Sequence, residues 1–245
     1  MNVLFNDYAK ILKDLNISSF NLEEDQYSGV FLPVPFDEYW SSNLKIMLVG
    51  RETAGWNTDN NKNKISRVAE FVEKEKVFEL LCEAAERYKK HLPLSKDGKV
   101  ITKTRSRFKQ YFFRLAKELE FDPKSIIYAN LFAWDYNKKS PRIRPKSELE
   151  EITSISKNLL AIQITHFKPD VVIFAAGFAG IDPVIKQLFN ENFGGYRNKE
   201  VISRKYWEFE AADAICFRIA HPRATHGHGE FRDKVINRIK TYATG

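Results

Sequence analysis

Cysteine is nearly absent from this chain: Cys82 and Cys216 are the only two in 245 residues. Two are too few for a disulfide framework or a four-thiolate cluster, so both read as buried thiols of a reducing compartment. Long apolar runs are missing as well. Nothing approaches the roughly 20 apolar residues of a membrane span, and the stretch MNVLFNDYAKILKDLN mixes charge into positions where a signal peptide would be apolar. The expected location is cytoplasmic, without a membrane partner. No Pro/Gly/Ser-rich linker, low-complexity tract or fixed-period repeat divides the chain. One domain over residues 1–245 is expected, with 1–43 as an N-terminal helix and lead-in and 44–245 as the core. No GxSxG elbow, Walker loop or GxGxxG fingerprint occurs, and Ala176-Gly177-Phe178-Ala179-Gly180 has the wrong spacing for one.

What is present is positive charge, a formal +7, which suits a phosphate-rich partner or simply a solvated basic surface. The chain is organised around Leu44 to Asn57, LKIMLVGRETAGWN. Its apolar run suits a strand covered on both faces of a parallel sheet. Gly50-Arg51-Glu52-Thr53-Ala54-Gly55 then places two opposite charges between glycines. In open parallel α/β sheets the ligand crevice lies beyond the carboxyl ends of the strands, so chemistry is sought there first.

Residues 3 to 15 fit an amphipathic helix. Helical spacing from Lys64 to His91 predicts one or two helices, and Thr104 or Ser106 can cap another carrying Phe108, Tyr111, Phe112, Leu115 and Leu119. Ser125 to Leu131 is a second buried strand. Ser147 with Glu150 forms a capping-box pattern before a helix bearing Leu149, Ile152, Ile155, Leu159 and Ile162, with His166 near its end. Val171 to Ala175 is the third strand and Ala214 to Ala220 the fourth, with a helix from about Gly180 to Phe189 between them and a last helix after them. Four parallel strands with helical crossovers predict a three-layer αβα sandwich whose strand ends converge on one crevice.

Taken together, Gly50-Arg51-Glu52 after a strand, Asn130 at a strand end, Pro169-Asp170-Val171-Val172-Ile173 to Gly177, and His221-Pro222 after the last strand resemble the uracil-DNA glycosylase superfamily. The likeness covers roughly residues 44 to 240. It is nearer to bacterial branches with a short Gly-rich first motif, where Arg105-Ser106 and Gln163-Ile164 also find counterparts. The resemblance implies a glycosylase that cleaves the bond between deoxyribose and uracil or a related damaged base, acting on DNA as a monomer without a cofactor.

Such cleavage builds positive charge on the sugar and negative charge on the departing base, so it favours a carboxylate near one and a donor near the other. By resemblance, Glu52 is the general base or electrostatic stabiliser and His221 the donor to the base. Asn130 reads the base edge, and Gly50 and Arg51 line the pocket through their backbone. Trp56, with Phe132 behind it, is the expected stacking ring. Lys138, Lys139, Arg142, Arg144 and Lys146, with Arg223 and His226 after His221, are expected to meet phosphates.

The chain departs from the family pattern. Thr53 stands for a proline, Arg223 for a serine, and RATHGHG lacks the apolar wedge often used to hold a base out. These departures motivate the alternative of a catalytically inactive nucleic-acid-binding protein. Each site residue also has a structural reading: Glu52 pairing at the surface, Asn130 satisfying a loop, His221 capping a helix, Trp56 packing, and the basic loop a solvated turn. His221, His226, His228 and Glu230 lack a supporting second cluster, so no metal is expected.

Overall fold

The computed structural model describes residues 2–56, 64–224 and 226–244. Asn57, the end of the first-strand stretch, and Thr225, in the loop after His221, lie outside the described residues. The elements are α1 (Asn2–Lys13), α2 (Asp37–Trp40), β1 (Ile46–Gly50), α3 (Ile65–Glu73), α4 (Val77–Lys89), α5 (Arg107–Glu118), β2 (Ile126–Asn130), α6 (Lys146–Phe167), β3 (Val171–Phe174), α7 (Asp182–Asn192), β4 (Arg197–Ile202), β5 (Tyr206–Ala211), β6 (Ala214–Ile219) and α8 (Gly229–Thr244). Contacts group them into two compact units: unit 1 is residues 1–34, 52–91 and 129–166, and unit 2 is residues 35–51, 92–128 and 167–245.

The strands form one sheet in the order β2-β1-β3-β6-β5-β4. In unit 2, β1, β3 and β6 run parallel, with Ile46 beside Val171 and Val171 beside Ile215. Their carboxyl ends therefore share one edge. β5 and β4 extend the sheet antiparallel. Four strands are expected from the sequence and six are found. The extra pair escapes a search for apolar runs because β4, RNKEVI, is a charged edge strand with a bulge between Asn198 and Glu200, the kind of edge that resists further pairing.

Alternate residues of each central strand face opposite ways. Ile46, Leu48, Val171, Ile173, Ile215 and Phe217 pack with Tyr111, Phe112 and Leu115 of α5 and with Val235, Ile236 and Ile239 of α8. From the other set, Phe174 and Phe209 meet Phe189 of α7 at 6.0 and 5.4 Å. Helices thus cover both faces of the sheet, as buried parallel strands require. Beside them Arg218, only 2% exposed, pairs with Asp182 of α7 through Nε–Oδ1 at 2.7 Å and Nη2–Oδ2 at 2.9 Å. Ser106 caps α5, its Oγ accepting from the Lys109 N–H at 3.4 Å.

Unit 1 is largely helical. The periodic stretch after Lys64 becomes two helices because Glu75 takes a left-handed conformation, φ 56°, between α3 and α4. The Tyr8 hydroxyl of α1 donates to the Pro33 carbonyl at 3.2 Å. The expected capping box at Ser147 is corrected: α6 already begins at Lys146, and the Leu149 N–H bonds the Pro145 carbonyl at 3.0 Å, which puts Ser147 inside the first turn. His166 meets Asp7, Nε2 to Oδ2, at 2.6 Å. The cysteines also divide: Cys216 is buried, as expected, but Cys82 is exposed on α4. Among the described residues no helix is long and apolar enough to cross a membrane.

Candidate functional site

At the carboxyl edge of the parallel strands in unit 2, β1 ends at Gly50 and hands the chain to a half-buried Arg51. β6, buried at every position, delivers His221, Pro222 and Arg223 to the same edge. Strand-end hydrogen bonds tie that edge together: the Ala175 N–H donates to the Val49 carbonyl at 2.8 Å and the Gly177 N–H to the Ile219 carbonyl at 3.2 Å.

His221 is half-buried in a tight turn closed by the Ala224 N–H on its carbonyl at 2.8 Å. Its Nδ1 accepts from the Arg223 N–H at 3.1 Å. An amide nitrogen can only donate there, so a neutral ring carries its proton on Nε2. Burial first, and then the Arg51 and Arg223 charges, push the imidazole pKa down to about 4. At neutral pH the ring is therefore uncharged and offers an N–H donor in a field made positive by two guanidinium groups. That combination stabilises negative charge developing on a bound group without first trading a proton with it.

In unit 1 the loop after the first strand is built around a residue to which no sequence motif drew attention. Asp135 is fully buried, and its Oδ2 accepts from Thr53 Oγ1 at 2.6 Å, the Gly55 N–H at 2.8 Å and the Trp56 N–H at 3.4 Å. Its Oδ1 accepts from the Lys138 N–H at 2.8 Å. Asn137 and Lys138 both have positive φ, so the chain turns back sharply just after Asp135. An Asp two residues before a turn-forming Asn is the one local signal the sequence carries for it. At Gly55, φ 85°, the backbone lies against the chain itself: a Cβ there would lie 3.1 Å from Lys138 Cγ. Beside these residues opens a polar cleft of about 220 Å³, lined by Asp25, Tyr27, Ser28, Lys64, Asn137 and Lys138 among others.

The expected stacking rings are packing residues. Trp56 is 9% exposed, edge-on to Phe31 at 4.7 Å, with the Arg87 guanidinium 4.4 Å from its centroid. Phe132 is 1% exposed. Asn130 is buried at the end of β2 and Glu52 is half-buried, both in unit 1. Of the expected phosphate contacts, Lys138, Lys139, Arg142, Lys146, Arg223 and His226 are exposed. Arg144 is not a free surface cation. Its Nε and Nη2 grip the buried Glu148 at 2.8 and 2.9 Å, and its guanidinium lies 4.1 Å from the Tyr136 ring centroid. Glu148 also accepts from the Tyr27 hydroxyl at 2.7 Å. Gln163 is buried on α6.

Within unit 2 the structure thus brings Arg51 and Arg223 to His221, and within unit 1 it brings Thr53, Trp56 and Lys138 to Asp135. Among the described residues no three His, Cys, Asp or Glu side chains gather as metal ligands would. No family model matches the chain, and no curated protein matches it.

Proposed function

We propose that the chain is a glycosylase-like hydrolase of the uracil-DNA glycosylase type, cleaving the N-glycosidic bond of uracil or a related damaged base in DNA. The observation that carries the reading is the uncharged, Nε2-protonated His221 beside Arg51 at the carboxyl edge of the parallel strands. As the bond from sugar carbon to base nitrogen breaks, its electron pair leaves with the base. A neutral N–H donor next to a fixed guanidinium favours that anion, while water adds to the sugar carbon and gives up a proton. Glu52, the next residue after Arg51, enters as the carboxylate that assists the water, and Asn130 as the amide that reads the base edge; both roles come from the sequence resemblance.

Base release from uracil-, hypoxanthine- and xanthine-containing oligonucleotides tests the reading. Wild-type chain in excess should release at least one of these bases, and His221→Asn should slow release about 100- to 1,000-fold, the scale for losing one donor to a developing anion. No release from any of them overturns it. Salt-dependent binding with no release, unchanged by Glu52→Ala, selects instead the binding protein without turnover that Thr53 and Arg223 first suggested.

A further inference from the structure

The segment of unit 2 between Pro93 and Lys109 carries six basic residues and one acid, and so supplies five of the chain's seven excess positive charges. It begins as a small hairpin. Leu94 bridges Val100 antiparallel, the Ser95 N–H donates to the Lys99 carbonyl at 2.8 Å, and the Ile101 N–H donates to the Pro93 carbonyl at 2.8 Å. It then runs to the capped start of α5. There the Thr104 Oγ1 accepts from the Ser106 N–H at 3.2 Å and the Thr104 carbonyl from Gln110 Nε2 at 2.9 Å. Arg105 is therefore flanked by fixed residues. Phe108, in the first turn of α5, packs on Tyr128 of β2 at 4.9 Å, which anchors the segment to the sheet.

Its cations face water. Lys96, Lys99, Lys103, Arg105 and Arg107 are all exposed. Lys96, Lys103 and Arg105 make no ion pair among the described residues, and Lys99 reaches Asp97 only at 3.7 Å with its side chain 85% exposed. Two aliphatic side chains stand out with them, Leu94 at 52% and Ile101 at 41% exposure. Paired strand residues share a side and successive ones alternate, so Leu94 and Ile101 fall on opposite sides of the hairpin base.

We propose that residues 93–107 form a nucleic-acid-gripping arm, with the five cations lying along the sugar–phosphate backbone. The proposal rests on the functional reading for the kind of partner, but it requires no turnover. Charge complementarity selects the occupant. Several exposed cations, three of them without an acidic partner among the described residues, match the regular charge of a phosphodiester chain, whereas an amphipathic membrane-docking element adds a continuous apolar face that two separated side chains do not make.

The test uses the full chain and a fluorescent oligonucleotide of about 20 nucleotides, single- or double-stranded, titrated over a range of salt. Lys96→Glu/Lys103→Glu/Arg105→Glu should bind at least tenfold more weakly at low salt. Its slope of log affinity against log salt should fall by about 2 to 3, the loss of some three phosphate contacts. Lys10→Glu/Lys13→Glu/Lys117→Glu makes the same change in net charge elsewhere and should weaken binding less than about threefold. Equal losses in both charge triples, wild-type affinity in the first, or wild-type binding to phosphatidylserine vesicles but to no oligonucleotide overturns the arm. If charge reversal prevents folding, the Lys96→Gln/Lys103→Gln/Arg105→Gln triple is read in its place. Base release by the wild type separates the two proposals: binding through the arm without release sinks the turnover alone, and release with arm-independent binding sinks the arm alone.

Discussion

Thr53 Oγ1 donates to Asp135 Oδ2 across 2.6 Å, joining residues 82 positions apart. The same carboxylate takes the Gly55, Trp56 and Lys138 N–H groups, so it fixes the loop that follows Arg51-Glu52. Thr53→Val keeps the shape and removes one hydrogen bond to a charged group, worth about 1.5–3 kcal/mol. Asp135→Asn should destabilise more, because an amide has one acceptor oxygen and sets an NH2 against N–H donors that now meet an oxygen. Urea unfolding checks both: the midpoint should fall with an unchanged m-value, in that order of severity. Wild-type stability in Asp135→Asn would contradict this role.

That loop also shows what the sequence could and could not reveal. Four strands were legible because a strand covered on both faces must be largely apolar, and β1, β2, β3 and β6 are, apart from Asn130 at the end of β2 and Arg218 in β6. α5 was legible through its stripe and Ser106. β4 and β5 were not, since an edge strand is selected for charge, and Glu208 and Glu210 interrupt the aromatics of β5. His221 stood out only through the resemblance, as the His-Pro that follows the last strand. Apart from the turn that follows Asp135, neither it nor Asp182 belongs to a local pattern. Each acts through a partner distant in sequence, Thr53 and Arg218, and such pairs become visible only when the chain is folded.

Arg144 is expected to matter for stability rather than for grip. Arg144→Met leaves Glu148, 3% exposed, with the Tyr27 hydroxyl and Asn21 N–H as the only donors to its side chain among the described residues, and breaking a buried pair from one side costs about 3–5 kcal/mol. The exposed Lys139→Met should stay within about 0.5 kcal/mol of wild type. Burial pushes the Glu148 carboxyl up, but Arg144, Tyr27 and the Asn21 N–H outweigh it and hold it below its usual value. A depressed folded pKa means the contribution is complete above the unfolded value, about 4.3, and is lost as pH falls through the folded one. The stability gap between wild type and Glu148→Gln should therefore narrow below about pH 4.3. Arg144→Met should leave the salt slope of oligonucleotide binding unchanged.

Arg218 and Asp182 offer the same test in unit 2. Asp182→Ala strands a guanidinium that is 2% exposed, with a loss of about 3–5 kcal/mol. Replacing both partners, Arg218→Met with Asp182→Leu, removes the charge that needs a partner. The double variant should be more stable than Asp182→Ala alone, as measured by thermal unfolding. A double variant as unstable as the single one would mean that the pair holds α7 by more than charge.

His221 gives the sharpest signature. Nitrogen-detected NMR of the ring should show the proton on Nε2 and a midpoint near pH 4, below the ordinary value of about 6.5. Burial is the first cause and Arg51 the second, so Arg51→Met should move the midpoint part of the way back. Because the folded pKa lies below the unfolded one, the unfolded chain takes up its proton first. This group therefore destabilises the fold as pH drops from about 6.5 towards 4 and has no effect above that window, a dependence that His221→Asn should abolish. For base release the consequence runs the other way. The ring is already neutral at pH 6, so no loss of activity assignable to His221 should occur between about pH 5.5 and 8. An acidic limb with a midpoint near 6.5 that disappears in His221→Asn would mean that the ring carries charge in the working enzyme and that the neutral-donor mechanism is mistaken.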